Sequence, residues 1–250
     1  MAHSHSLITL GTGSSYAERG VGSSSHLVQT PDIVLLMDAG EGCAGSLNYL
    51  GKLDDPEFIL ISHLHSDHIS GLFVLIQNLI LKKRKGLIRI YMPSAGIEPV
   101  KEMLRSSYLE ETRMSKVGLE LEIESIKEGN LLKTGETSVS AWNSDHFIRD
   151  NNGIVRQAYG FSIDSKGSRL VYTADVTTID CFLDQIKPGC TVLCEAMHLD
   201  YKDTIRRLSE RNVRKIIFTH IDPQKKEELK DSVKSTSGIA IARDCEVFEW

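Results

Sequence analysis

The chain reads as an α/β protein of the α+β kind: a single domain, residues 1–250, with two mixed sheets carrying helices on their outer faces. Three observations predict it. Runs of strand character recur along the whole chain, helical periodicity separates them in both halves, and several strands end on a histidine or an aspartate.

Taken in order, the strand runs of the first half are SLITL, IVLLMD, FILIS, IRIYM and LELEI, with helices at about 43–50, 69–84 and 97–106. The second half repeats the mixture with SVSAW, YGFSI, RLVYTAD, TVLCEA, KIIFTH and CEVFEW, and helices at about 178–186, 202–211 and 224–234. The apolar stretch Ile69–Leu81 contains Gln and Asn and is too short to span a bilayer, so it reads as a buried helix. KKRK at Lys82–Lys85 then reads as that helix's C-terminus, cations facing the negative dipole end and Gly86 as the stop; the competing reading is a phosphate-backbone contact. Met103, Leu104, Tyr108, Leu109 and Met114 read as a lid or as the face of a homodimer.

No Pro-, Gly- or Ser-rich linker divides the chain. The formal charge of −5 gives no global attraction to nucleic acid. Five scattered cysteines without a C-x-x-C pair read as reduced, mostly buried thiols. The N-terminus shows no signal peptide, His3 and His5 belong to a short polar leader without function, and the expected location is cytoplasmic.

The chemistry concentrates in HLHSDH, residues 63–68. His63 and His65 are two apart and point the same way in extended chain, whereas Ser66 to His68 must turn, because Ile69 starts a helix against the cluster. AWNSDH, VYTAD and IIFTH bring His146, Asp175 and His220 to three further strand ends, where a buried strand can present its last residue to a cleft. Imidazole and carboxylate together suit zinc, and equally manganese or iron. His63, His65, Asp67, His68, His146, Asp175 and His220 exceed what one ion requires and imply two divalent ions, roughly 3.5–4 Å apart.

HLHSDH matches the H-x-H-x-D-H signature of the metallo-β-lactamase superfamily, which the chain resembles from its first strand to about His220. The resemblance implies a four-layer αβ/βα sandwich with a dinuclear site between its sheets. It puts one metal on His63, His65 and His146 and the other on Asp67, His68 and His220, with Asp175 bridging. All seven positions are filled. LGTGSS after the first strand, LMDAGEG, TAD at 173–175 and CEA at 194–196 look like the ribonuclease Z branch and its phosphodiesterase relatives. Asp38 of LMDAGEG resembles the carboxylate that orients a metal-bound imidazole. GTGSS has neither the dinucleotide spacing nor a Gly-Lys-Ser/Thr, and reads as a tight turn approaching the metals.

The chain also departs from that branch. The arm with which tRNA 3′-processing enzymes grip tRNA commonly lies between His146 and Asp175; here FIRDNNGIVRQAYGFSIDSKGSRLVY is largely spent on one hairpin. The family's His-Ser-Thr motif between Glu195 and His220 is missing too. CEAMHLD instead sets His198 three residues after Glu195, as in phosphodiesterases of the fold that act on cyclic ribose phosphates. Asp67, Glu195 and His198 are therefore the catalytic candidates, with His198 protonating the leaving oxygen and Asp67 taking a proton from water.

The expected activity is that of a metal-dependent hydrolase, foremost a phosphodiesterase acting through a hydroxide shared by two ions on a small phosphodiester or nucleotide-like substrate. RNA is a less favoured partner, and no membrane partner is expected. The rivals are a ribonuclease Z-type endonuclease, a lactonase or thioesterase-type hydrolase, and a redox di-iron protein. The last usually has Glu at the second signature position and an attached flavodoxin domain, and this chain has neither.

Overall fold

The computed structural model describes residues 5–146, 156–234 and 236–250. His3, and the 147–155 part of the stretch read as a hairpin, lie outside the described residues.

The first sheet contains β1 (Ser6–Gly11), β2 (Ser25–Gln29), β3 (Val34–Met37), β4 (Phe58–Leu60), β5 (Gly86–Met92) and β6 (Leu119–Ser125), side by side in that order. β1 to β3 pair antiparallel and β3 to β6 parallel. Between these strands come α1 (Cys43–Tyr49), α2 (Ser66–Ile69), α3 (Leu72–Leu81), α4 (Ile97–Ser106) and α5 (Glu111–Ser115). The second sheet repeats the scheme. β7 (Gly129–Thr134), β8 (Thr137–Asn143), β9 (Tyr159–Ser165) and β10 (Ser168–Tyr172) pair antiparallel; β11 (Thr191–Ala196), β12 (Lys215–Ile221) and β13 (Ile239–Ile241) then continue parallel. α6 (Tyr201–Ser209) and α7 (Lys226–Val233) belong to this half, and β14 (Glu246–Glu249) returns to the first sheet beside β1.

Three apolar cores separate the four layers of this αβ/βα sandwich. Leu7, Val28 and Leu35 of the first sheet meet Val139, Phe161 and Leu170 of the second between the sheets. Leu47, Leu75 and Leu104 pack helices onto the outer face of the first sheet, and Phe182, Leu208 and Leu229 do so for the second. The antiparallel pairing of β8, β9 and β10 leaves β8 running with β10, so the C-terminal ends of β8, β10, β11 and β12 lie on one edge. Carboxyl ends of parallel strands are where ligand-binding loops collect.

Several elements differ from the sequence reading. β2, SHLVQ, has only Leu27 and Val28 as apolar residues, yet all of it is buried because it lies between β1 and β3. β7 and β13 lie outside the runs of strand character in the sequence; they are sheet edges whose residues are mostly not fully buried. Ile179–Gln185 winds as a 3-10 helix instead of an α-helix. The helix read from Ile69 begins earlier, at Ser66, and breaks at Gly71, whose N–H donates to the Ala39 carbonyl at 2.9 Å. Leu104, Leu109 and Met114 belong to the outer core under α4 and α5, which leaves only Met103 and Tyr108 exposed from the group read as a lid or dimer face. The five cysteines are free thiols, and Cys43, Cys190 and Cys194 are buried. No helix among the described residues is long and apolar enough to cross a membrane.

One cross-strand pair depends on the absence of a side chain. Trp142 of β8 faces Gly160 of β9, and a Cβ on Gly160 would lie 2.0 Å from the indole ring. Gly160→Ala should therefore lower the unfolding free energy by about 1–3 kcal/mol, the usual cost of overpacking, as measured by denaturant titration. An unchanged midpoint would show that the Trp142 ring gives way freely.

Candidate metal centre

The strand ends meet at one place. After β4 the chain runs through His63, outside helix and strand, to His65, whose backbone is extended and which takes the N-cap position of α2. Asp67 and His68 are buried inside that single helical turn. Gly40 permits the turn to approach, since a Cβ there would lie 2.3 Å from the Asp67 carbonyl oxygen. The Ala39 N–H donates to the His68 carbonyl at 2.8 Å, locking the turn to the loop after β3. His146 follows β8 in a loop fixed by Asp145, whose carboxylate accepts from the N–H groups of Thr177 and Thr178 and from the Thr178 hydroxyl. Asp175 follows β10, and His220 lies near the end of β12 with its N–H on the Thr12 carbonyl at 3.0 Å. Thr12 belongs to the GTGSS loop, which thus reaches the centre as expected. That loop is held by the Asp244 carboxylate, which accepts from the N–H groups of Thr12 and Gly22 at 2.9 and 2.7 Å.

All seven residues read as metal ligands come together, in two sets. His63, His65, His146 and Asp175 form one, and Asp67, His68 and His220 the other; within each, the candidate donor atoms lie within 4.8 Å of one another. Asp175 touches both. Its Oδ2 is 3.7 Å from His63 Nε2 and 3.6 Å from His146 Nε2, while its Oδ1 is 3.3 Å from His68 Nε2 and 3.4 Å from His220 Nδ1.

The polar accounting of this cluster fits divalent cations. His68 Nε2, His220 Nδ1 and Asp175 Oδ1 are buried and make no hydrogen bond, an arrangement proteins rarely leave uncompensated. All three are donors that a borderline cation accepts. Burial opposes charge on His63 and His146, lowering the first well below the ordinary imidazole value and the second to about 4. His65 is lowered for the same reason. Burial also disfavours charge on His68, but the Asp175 and Asp38 carboxylates outweigh it and raise its pKa well above the ordinary range. Asp175 is driven the other way: burial raises its pKa, and the His68 and His220 charges more than reverse that. Metal and proton compete for such nitrogens, so cation affinity at this set falls with acidity.

Asp38 lies behind His68, as the sequence reading placed it. Its Oδ2 accepts from His68 Nδ1 at 2.8 Å, from the Ser62 hydroxyl at 2.9 Å and from the Tyr172 hydroxyl at 2.7 Å. Ser62 also lies 3.0 Å from His63 Nδ1. Both imidazoles are thereby tied at Nδ1, which turns Nε2 towards the cluster. Ser62 and Tyr172 escaped the sequence reading, where they counted only as strand residues. The one available signal was that Tyr172 sits three residues before Asp175, within the run RLVYTAD.

At the rim, Glu195 is buried and its Oε2 accepts the N–H groups of Met197 and His198. Its Oε1 lies 3.3 Å from His198 Nδ1, and the Glu195 carboxylate raises the His198 pKa. The His198 ring stands 4.9 Å from that of His146 and stacks at 6.0 Å on that of His220. Lys82–Lys85 is elsewhere: Lys82 caps α3, pairs with Asp54, and precedes the N-terminal end of β5, at the far edge of the sheet.

A sequence profile of the Anti-Pycsar protein Apyc1 family matches residues 5–247. The chain belongs to that family. This Apyc1-family chain is also similar to the ribonuclease Z of Methanosarcina acetivorans, 22% identical over 94% of each protein. Its structure superposes on the short form of human tRNase Z with a TM-score of 0.77 at 19% identity, covering 98% of both chains. Zinc-bound PqqB from Methylobacterium extorquens gives a TM-score of 0.68 at 13% identity, covering 98% of this chain and 100% of the other. Both superpositions establish the metallo-β-lactamase fold.

Asp175→Ala removes the one carboxylate that touches both sets. Metal analysis of the purified variant should show a fall from two ions to one or fewer per chain. Retention of two ions would show that Asp175 is not shared between them.

Proposed function

We propose that the chain is a metal-dependent phosphodiester hydrolase acting on small, nucleotide-like substrates. The observation that carries this reading is the Asp175 carboxylate in contact with both donor sets, with the His198–Glu195 pair beside it. His63, His65 and His146 would hold one ion and Asp67, His68 and His220 the other, with Asp175 shared; zinc is the first candidate, as the fold's PqqB binds it. When bound, such a pair supplies Lewis acidity to a phosphoryl oxygen and acidifies water.

The residues do the rest. Asp67, with its Oδ2 3.0 Å from His220 Nε2, is the carboxylate placed to accept a proton from the attacking water. The Glu195 carboxylate, 3.3 Å from His198 Nδ1, raises the His198 pKa, so that the ring keeps its proton to higher pH and Nε2 can give it to the departing oxygen. A built-in proton donor favours esters with poor leaving groups, and ribonuclease Z relatives are named for cleaving RNA. A small substrate is favoured over RNA because the chain is net acidic and its one basic run lies at the opposite strand edge.

Bis-p-nitrophenyl phosphate, a lactone and a thioester should separate the hydrolytic readings: only the first should be turned over, and a chelator should abolish that turnover. Lactone or thioester cleavage without phosphodiester cleavage would establish the carbonyl reading instead.

His198→Ala should slow an alkyl or ribose phosphodiester by about 10²–10⁴-fold, the range of general acid catalysis, and a p-nitrophenyl ester far less. The sign of the pH effect follows from the raised pKa: the acid form is present below it and lost above it. The wild-type rate on the alkyl ester should therefore decline as pH rises through a value above 6.5, with Glu195 and Asp175 raising that value and burial and Lys225 lowering it. Equal losses on both substrates would mean that His198 serves binding or structure.

A further inference from the structure

We infer that Tyr172 is a positioning residue of the metal centre: reaching across from the second sheet, its hydroxyl fixes the Asp38 carboxylate, which in turn aims His68 Nε2 at the cluster. The inference rests on the metal-binding part of the proposed function and is independent of the substrate.

The argument begins with Asp38, which has no exposed surface. A buried carboxylate has to be satisfied by the protein, and this one receives four hydrogen bonds. The Ser62 N–H donates to Oδ1 at 2.7 Å, and the Ser62 hydroxyl, His68 Nδ1 and the Tyr172 hydroxyl all converge on Oδ2. Three of these donors come from the segment after β4, on the same side of the molecule as Asp38 itself. Tyr172, at the end of β10, is the one that comes from the opposite sheet.

Packing alone does not account for a tyrosine here. Its ring is 1% exposed in the core between the sheets, where phenylalanine would fill the same volume. Its other polar neighbour is His26 of β2, met edge-on at 5.2 Å and 71°. His26 is fully buried and neither ring nitrogen makes a hydrogen bond, so it does not receive the phenolic proton. The hydroxyl is committed to Asp38.

The consequence falls on one imidazole. With Nδ1 donating to Asp38, His68 Nε2 stands buried without a hydrogen bond, 3.3 Å from Asp175 Oδ1 and 3.6 Å from Asp67 Oδ2. Rotation of Asp38 would move that nitrogen away from both carboxylates. Because Asp175 follows Tyr172 by three residues, one strand end places the shared carboxylate and braces the histidine facing it.

Tyr172→Phe removes the hydroxyl and keeps the ring. Zinc affinity measured by chelator competition should show two ions on the wild-type chain. In the variant one of the two ions should lose about 10–100-fold, the usual effect of removing an outer partner, with the other ion unchanged. Cobalt substituted for zinc should show an altered visible spectrum at that one site. In the Asp38→Ala background, which removes the accepting oxygens, the same change should add nothing, because the path through Asp38 is already broken. Unchanged affinities, equal weakening of both ions, or a further additive loss in the Asp38→Ala background would each overturn the inference. A wild-type chain that binds no ions would overturn the metal reading itself, whereas two ions bound without phosphodiester hydrolysis would leave Tyr172 standing and remove only the substrate.

Discussion

Gathering four imidazoles around one carboxylate in a buried place is the constraint on which the rest of the structure depends. Asp175 has His63, His68, His146 and His220 within 3.7 Å, and these side chains are almost wholly shut off from water. In that setting charge cannot be relieved by solvent, so each group takes the protonation its neighbours dictate. Burial lowers the His63 pKa; the Asp175 and Asp38 carboxylates outweigh burial at His68 and raise its pKa, and His68 and His220 outweigh burial at Asp175 and lower its pKa. No single strand could supply this cluster. It needs ends from both sheets, and the repeated half-antiparallel, half-parallel scheme of the two sheets brings them to one edge.

Delivering those ends strains the backbone at three points. Asp38, Ala174 and His220 take φ values of 56°, 48° and 49°, a region that residues other than glycine seldom occupy. Each lies in the centre or next to it: Asp38 behind His68, Ala174 before Asp175, and His220 as a donor itself. Strain of this kind survives only where surrounding contacts over-determine it. The four hydrogen bonds on Asp38 and the Thr12 carbonyl beneath His220 are such contacts.

Much of this was legible in the sequence, for a physical reason. Histidines and carboxylates are costly to bury without a partner, and strand ends announce themselves by the apolar run before them. HLHSDH, His146, Asp175 and His220 could therefore be read together, and Asp38 with them. β2 could not, because SHLVQ owes its burial to neighbours on both sides, not to its own composition. The division of the helical run into α2 and α3 is not visible in the sequence either, because the break at Gly71 comes with a hydrogen bond to Ala39, more than thirty residues earlier in the chain. Tyr172 and Ser62 were invisible for a related reason: their roles lie in one oxygen each, and that oxygen's partner is set by tertiary structure.

The ties at Asp244 give the molecule a temporal order as well as a shape. The Thr12 carbonyl supports His220, and the loop that carries Thr12 is gripped by a residue 232 positions further along the chain. Contacts of such sequence separation form late, because the loop-closure entropy comes before any reward. During synthesis the HLHSDH turn can wind as soon as β3 and β4 pair, but the GTGSS loop stays unanchored until residue 244 arrives. Assembly of the centre thus waits for the end of the chain: HLHSDH is made early, His220 and Asp244 late, and the full set of side chains is in place only when the last strands have docked.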